Sequence, residues 1–159
     1  METQIISRAA FTVAGGKYRG QNEHNEIPQL WDKEYLPRMG EIKHRSEPGV
    51  SYDLMGNYDV QTGEFDYVAG SQVSDATDIP RGMVVWQVPA QTYAVYPCIL
   101  SELKAAFDHI YQTWLPYSGY ERADGPEFEY YGTEFTTVAD PAKTVMYLYV
   151  PVVLRVNQS

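Results

Sequence analysis

The chain has 159 residues, 44% of them hydrophobic and 14% aromatic, and a formal net charge of −9. That length suits a single domain able to bury about two-thirds of its unfolded surface. The acidic balance argues against direct nucleic-acid binding, which needs a basic footprint on phosphate, and no apolar run is long enough to span a bilayer.

Met1-Glu2-Thr3-Gln4 lacks the basic and apolar segments of a signal peptide, so the expectation is a cytoplasmic protein. The single cysteine, Cys98, rules out an internal disulfide and reads as a small buried hydrophobe. Tyrosine dominates the aromatics, 14 against 5 Phe. Its apolar body and polar tip suit a half-wet cavity, although tyrosine is also a strong strand former.

In chain order, Gln4 to Val13 predicts a first strand closed by Ala14-Gly15-Gly16. Gly15, Gly16 and Gly20 then bracket Lys17-Tyr18-Arg19 as a loop, whose spacing matches no phosphate-binding glycine motif. Asn25 or Asn22 would cap a helix carrying Ile27, Leu30, Trp31 and Leu36, with Pro28 in its first turn and Pro37 at its end. Val50 to Asn57 and Phe65 to Val73 predict two strands joined through a turn at Gly63. Met83 to Tyr96 is the longest strand signal, broken by Pro89-Ala90 in a bend, an edge or a bulge.

The clearest helix follows. Ile99, Leu103, Ala106, Phe107, Ile110, Tyr111 and Trp114 recur at helical steps, and Pro116 and Gly119 terminate it. After a loop over 117–125 come a strand from Phe128 to Phe135, a loop around Asp140-Pro141, and a last strand from Thr144 to Val156. The order is strand–helix–strand–strand, twice, with Trp and Leu-Pro near each helix end. The expectation is one α+β domain, a pseudo-repeat of roughly 1–80 and 81–159, with antiparallel sheets and a pocket at the seam.

The residue that matters most for function is Glu129. It lies in the strand-like run Pro126-Glu127-Phe128-Glu129-Tyr130-Tyr131, with no Lys or Arg between Gly125 and Ala142. A carboxylate turned into an aromatic interior is costly to bury without a neutralising charge, so an inward Glu129 calls for a cationic ligand. Glu127 shares its face, as does Tyr131, and a carboxylate pair would support acid–base chemistry. The preferred reading leaves Glu127 in water at the strand start and Glu129 alone inside.

Tyr147 and Tyr149 on the last strand, Tyr52, Trp86 and Tyr93 on others, and Trp31 and Trp114 near the helix ends would supply an aromatic box around that acid. The three histidines, His24, His44 and His109, have no metal-ligand spacing, and no nucleophile motif or cofactor motif is present.

The run around Pro89–Val95, the helix end Ile110-Tyr111-x-x-Trp114-Leu115-Pro116-x-Ser118-Gly119-Tyr120, the strand Pro126-x-Phe128-Glu129-x-Tyr131 and the closing Tyr147–Val152 together resemble the GyrI-like effector-binding domain. That domain is the ligand-sensing part of many AraC/XylS-type and MerR-type multidrug regulators. The resemblance implies two strand–helix–strand–strand units in a curved, barrel-like antiparallel sheet with two helices and a central cleft. It implies lipophilic cations bound in an aromatic pocket with a buried glutamate, which Glu129 matches by its place in the motif. Tyr147 or Tyr149 would match a pocket tyrosine.

With no room for a DNA-binding domain, the expectation is a stand-alone monomeric module similar to those carried on integron gene cassettes. Such a module would sequester drugs or work with a separate DNA-binding regulator subunit. A hydrolase of cyclopropane-bearing alkylators, with Glu129 directing water, and a topoisomerase-inhibiting interaction module are the competing readings.

Overall fold

The computed structural model describes residues 2–137 and 143–156. Its strands are β1 (Gln4–Arg8), β2 (Phe11–Gly20), β3 (Ser51–Gly56), β4 (Phe65–Val73), β5 (Val84–Val88), β6 (Gln91–Cys98), β7 (Tyr120–Arg122), β8 (Glu127–Tyr131) and β9 (Met146–Leu154). They form an antiparallel sheet in the order β1-β6-β9-β8-β3-β4-β2-β5, with β7 on β9. The sheet is curved and not closed. Yet β1 and β2 are one strand bent at Ala9-Ala10, and β5 and β6 are one strand bent at Pro89-Ala90. The two keep a single register, Arg8 facing Gln91 and Phe11 facing Val88, so the sheet folds back on itself there. Pro89 lacks the N–H that an unbroken ladder would need.

The glycine-bracketed loop expected at Lys17-Tyr18-Arg19 is strand instead. Gly15 faces Gly70 across β2 and β4. A Cβ on Gly15 would lie 1.9 Å from the Ala69 carbonyl oxygen, so glycine here permits close backbone approach rather than a turn. The strand expected over 128–135 ends at Tyr131, and a helical turn begins at Glu134. The predicted loop around Asp140-Pro141 lies outside the described residues.

Two helices cover one face. The first, α1, is α-helical over Glu26–Gln29, widens to a π-helix over Leu30–Tyr35 and tightens to 3-10 over Leu36–Glu41. The second, α2, runs 3-10 over Leu100–Glu102, α over Leu103–Asp108, π over His109–Trp114 and 3-10 over Leu115–Tyr117. Pro37 therefore does not end α1. It enters the first positions of the 3-10 turn, where a missing N–H costs little. Asn25 occupies the cap position without a side-chain cap bond, while Asn22 Oδ1 accepts the Ile27 N–H at 3.0 Å.

Period-two alternation divides the sheet into two cores. On the helix side, Leu30, Tyr35 and Ile42 pack with Ala14, Tyr67 and Ala69, and Ala106 and Ile110 pack with Cys98, Met146, Leu148 and Val150. On the opposite, concave side, Phe11, Val13, Tyr52, Leu54, Tyr93 and Phe128 form a separate core. No helix among the described residues is long and apolar enough to cross a membrane.

Candidate functional site

β3 and β8 pair at the seam between the two helices, and their register sets Asp53 directly opposite Glu129. Both point to the helix side, where Ser51, Met55 and Tyr131 share their parity. They are almost fully enclosed, Asp53 at 1% and Glu129 at 3% exposure. Above them, between α1, α2 and the sheet, lies a cavity of about 680 Å³. Its walls include Trp31, Tyr67, Leu103, Phe107, Tyr131 and Phe135, with Asp53 and Glu129 at its inner end. The exposed Asp32, Leu36, Leu100 and Lys104 line it towards solvent. The π-helical turn of α1 puts Trp31 against Tyr131, edge to face at 5.4 Å, and sends the Tyr35 hydroxyl to Ser51 and Ser71 at 2.8 and 2.7 Å.

The carboxylates are held by hydroxyls and one amide. Tyr131 donates to Glu129 Oε1 at 2.5 Å, Tyr67 donates to Asp53 Oδ2 at 2.9 Å, and the Glu129 backbone N–H donates to Asp53 Oδ1 at 3.2 Å. Trp31 Nε1 in turn donates to the Tyr67 hydroxyl at 2.7 Å. Among the described residues no Lys, Arg or His lies within ion-pair distance of either acid.

Burial therefore pushes Asp53 well above the usual carboxylate range, and the charge of Glu129 pushes the same way. Burial also raises Glu129, against the hydrogen bonding it shares with Asp53 and Tyr131. Tyr67 and Tyr131 are raised too, by burial first and by the Asp53 charge second.

Glu127 is not in water, contrary to the expectation for a strand start. It is 6% exposed, and Tyr111 of α2 donates to its Oε2 at 2.5 Å. Arg122 of β7 reaches the same phenol at 3.1 Å. The amphipathic helix lays Tyr111 over the strand and β7 brings the guanidinium, neither of which a local window displays.

Of the aromatic residues expected around the acid, Trp31 lines the cavity and the others stand elsewhere. Tyr52 and Tyr93 are buried in the concave core with Trp86 and Tyr149 against it, Tyr149 stacked on Phe128 at 4.4 Å. Tyr147 is 41% exposed beside Tyr130, and Trp114 stacks on Tyr120. Parity explains the closing strand: Leu148 faces Glu129, so Tyr147 and Tyr149 turn to the other side together. Those concave rings do surround a cation, but it is the protein's own. The Arg8 guanidinium lies 3.9 Å from the centroid of Phe11, 5.2 Å from that of Tyr52 and 5.4 Å from that of Phe128.

Asp53 was missing from the sequence-derived site, as were Tyr67, Tyr131, Leu103 and Phe107. Asp53 carried the same signal as Glu129, an acid within an apolar strand, Val50 to Met55. Leu103 and Phe107 carried only an amphipathic stripe, which does not separate a cavity wall from a packed core.

Residues 4–152 match the family model described as integron-associated effector binding protein. The transcriptional regulator BrlR of Pseudomonas aeruginosa is 38% identical over 154 residues, 96% of this chain. The chain spans about half of that regulator's length, 56%. Among solved structures, SAV2435 bound to tetraphenylphosphonium superposes with a TM-score of 0.73 at 18% identity, over 96% of this chain and 94% of that one. An integron cassette protein from the mobile metagenome of Vibrio cholerae gives 0.66 at 19% identity, over 95% of each chain. These structural likenesses establish the fold, which is the one expected from the effector-binding resemblance.

Proposed function

The chain belongs to the integron-associated effector binding protein family, and from that premise we propose that it binds lipophilic, singly charged organic cations in the cavity between α1 and α2. One observation carries this reading. An apolar, aromatic cavity of about 680 Å³ ends on two buried acids that have no basic partner among the described residues. Burying a carboxylate without a counter-charge costs several kcal/mol, roughly, and a cation whose charge is spread beneath aromatic groups would remove that cost while filling the apolar space.

Glu129 supplies the counter-charge. Trp31, Tyr67 and Tyr131 supply ring faces and edges, and each desolvated face is worth about 0.5–2 kcal/mol to a cation above it. Leu103, Phe107 and Phe135 supply shape. The tetraphenylphosphonium carried by SAV2435 is a ligand of this chemistry. In this reading the protein is a sensor or a sequestering module for such compounds.

The test compares two probes of equal shape and opposite sign, tetraphenylphosphonium and tetraphenylborate, by calorimetric titration. The phosphonium should bind and the borate should not. Glu129→Gln should weaken the phosphonium about 30-fold or more, the scale for uncovering one side of a buried charge pair. Equal binding of both probes, or a Glu129→Gln variant that binds like wild type, rejects the electrostatic role.

A further inference from the structure

The hydrogen bonds around Asp53 are all satisfied by a set of proton directions that leaves Glu129 ionised. The indole N–H of Trp31 can only donate, so Tyr67, which accepts it at 2.7 Å, turns its own proton to Asp53 Oδ2. Tyr131 has a single proton and two carboxylate neighbours, Glu129 Oε1 at 2.5 Å and Asp53 Oδ2 at 3.2 Å. The shorter contact takes the proton. The 3.2 Å contact then joins two oxygens that have no proton between them unless Asp53 brings one. Asp53 Oδ1 is already engaged by the Glu129 backbone N–H, which leaves Oδ2 as the place for it.

We propose that Asp53 is a neutral acid in the unliganded protein, the proton-bearing link of a chain that runs from Trp31 through Tyr67, Asp53 and Tyr131 and ends on ionised Glu129. The cavity thereby presents one negative charge rather than two, the complement of a singly charged cation. Asp53 is a positioning residue: its proton orients Tyr131 towards Glu129 and keeps the second charge out of the site. The consequence for ligands rests on the cation-binding reading above, while the proton itself does not.

The groups around the dyad agree. β4 contributes Tyr67, β8 contributes Glu127 and Tyr131, and β6 contributes Cys98, whose thiol burial and the Glu129 charge push up to about 11. α1 offers Trp31 and, further out, Asp32, and α2 offers Lys104 at the solvent side. No cation in this set pairs with Asp53 to hold it ionised. Burial and the neighbouring Glu129 charge both favour its protonated form.

Two measurements decide the matter. Carboxyl-carbon NMR of the unliganded wild-type protein, assigned with Asp53→Asn, should show Asp53 still protonated at pH 7 and Glu129 ionised. Tetraphenylphosphonium titration should show a clearly smaller loss for Asp53→Asn than for Glu129→Gln, since an amide keeps a donor on that edge. Glu129→Gln should lose about 30-fold or more. An Asp53 resonance that titrates in the ordinary carboxylate range overturns the proposal, and so does an Asp53→Asn loss equal to that of Glu129→Gln. If no cation binds at all, the function proposed above falls, and the carboxyl titration still decides the Asp53 proton.

Discussion

Arg8 and Tyr52 are joined across the concave face of the sheet, Arg8 Nη2 donating to the Tyr52 hydroxyl at 2.8 Å. The same guanidinium donates to Gln72 Oε1 at 3.0 Å and lies over Phe11. The two faces of one sheet thus carry opposite solutions to the problem of charge among aromatic rings. The concave face is provided with its cation by the chain, whereas the helix-side cavity holds acids that have none among the described residues.

Replacing Arg8 with Met should therefore cost stability and leave the cavity alone. Loss of the cation–π contacts and of two part-buried hydrogen bonds predicts a decrease of about 1–3 kcal/mol in urea unfolding. Tetraphenylphosphonium affinity should stay within about twofold of wild type, because this coupling is confined to the other face. A large affinity loss would place the concave rings in the ligand site after all.

Trp31 should report ligand binding. It lines the cavity, whereas Trp86 and Trp114 pack elsewhere. Titration with tetraphenylphosphonium should change tryptophan emission in wild type, Trp86→Phe and Trp114→Phe, and Trp31→Phe should abolish most of that change. A signal carried by Trp86 or Trp114 would move the site.

Stability should fall as pH rises through the range in which the two acids ionise. Asp53 and Glu129 both have folded-state values raised by burial. Above their unfolded values the native state therefore binds more protons than the unfolded state, and the slope of unfolding free energy against pH is negative. Their contribution is present at low pH and lost as pH climbs from the unfolded carboxylate value through each folded value. Thermal melts should show wild type losing ground to Asp53→Asn as pH increases from about 4 upward. A difference that stays constant with pH would contradict the burial of a titrating acid.

Cation affinity should run the opposite way, because the ligand needs ionised Glu129. It should weaken as pH falls through the raised Glu129 value. Tyr131→Phe removes the donor at 2.5 Å that favours the charged form, so it should shift this midpoint to higher pH. Titrations at several pH values measure the midpoint directly, and a downward shift or none would remove Tyr131 from the dyad.

The amphipathic spacing of Leu103, Ala106, Ile110 and Trp114, the β-rich run ending at Val73 and the Pro89 break were legible because each is a local pattern, set within a few residues by period or by a missing N–H. So was Glu129, an acid where a strand would keep something apolar. By itself, then, the sequence determined most of the succession of strands and helices, the effector-binding likeness and one anomalous carboxylate. The far half of β2 and all of β7, within the loop expected over 117–125, were strands it did not display.

Only the tertiary structure decided what meets it. Asp53 is 76 residues away along the chain, and the β3–β8 register that sets it opposite Glu129 depends on how the two halves close around their cores. The same closure turns Tyr147 and Tyr149 away and brings Tyr67, Tyr131 and Phe107 together around the cavity. A strand shifted by one residue exchanges its two faces, so cavity lining is a property of register, and register is chosen by packing across the whole sheet.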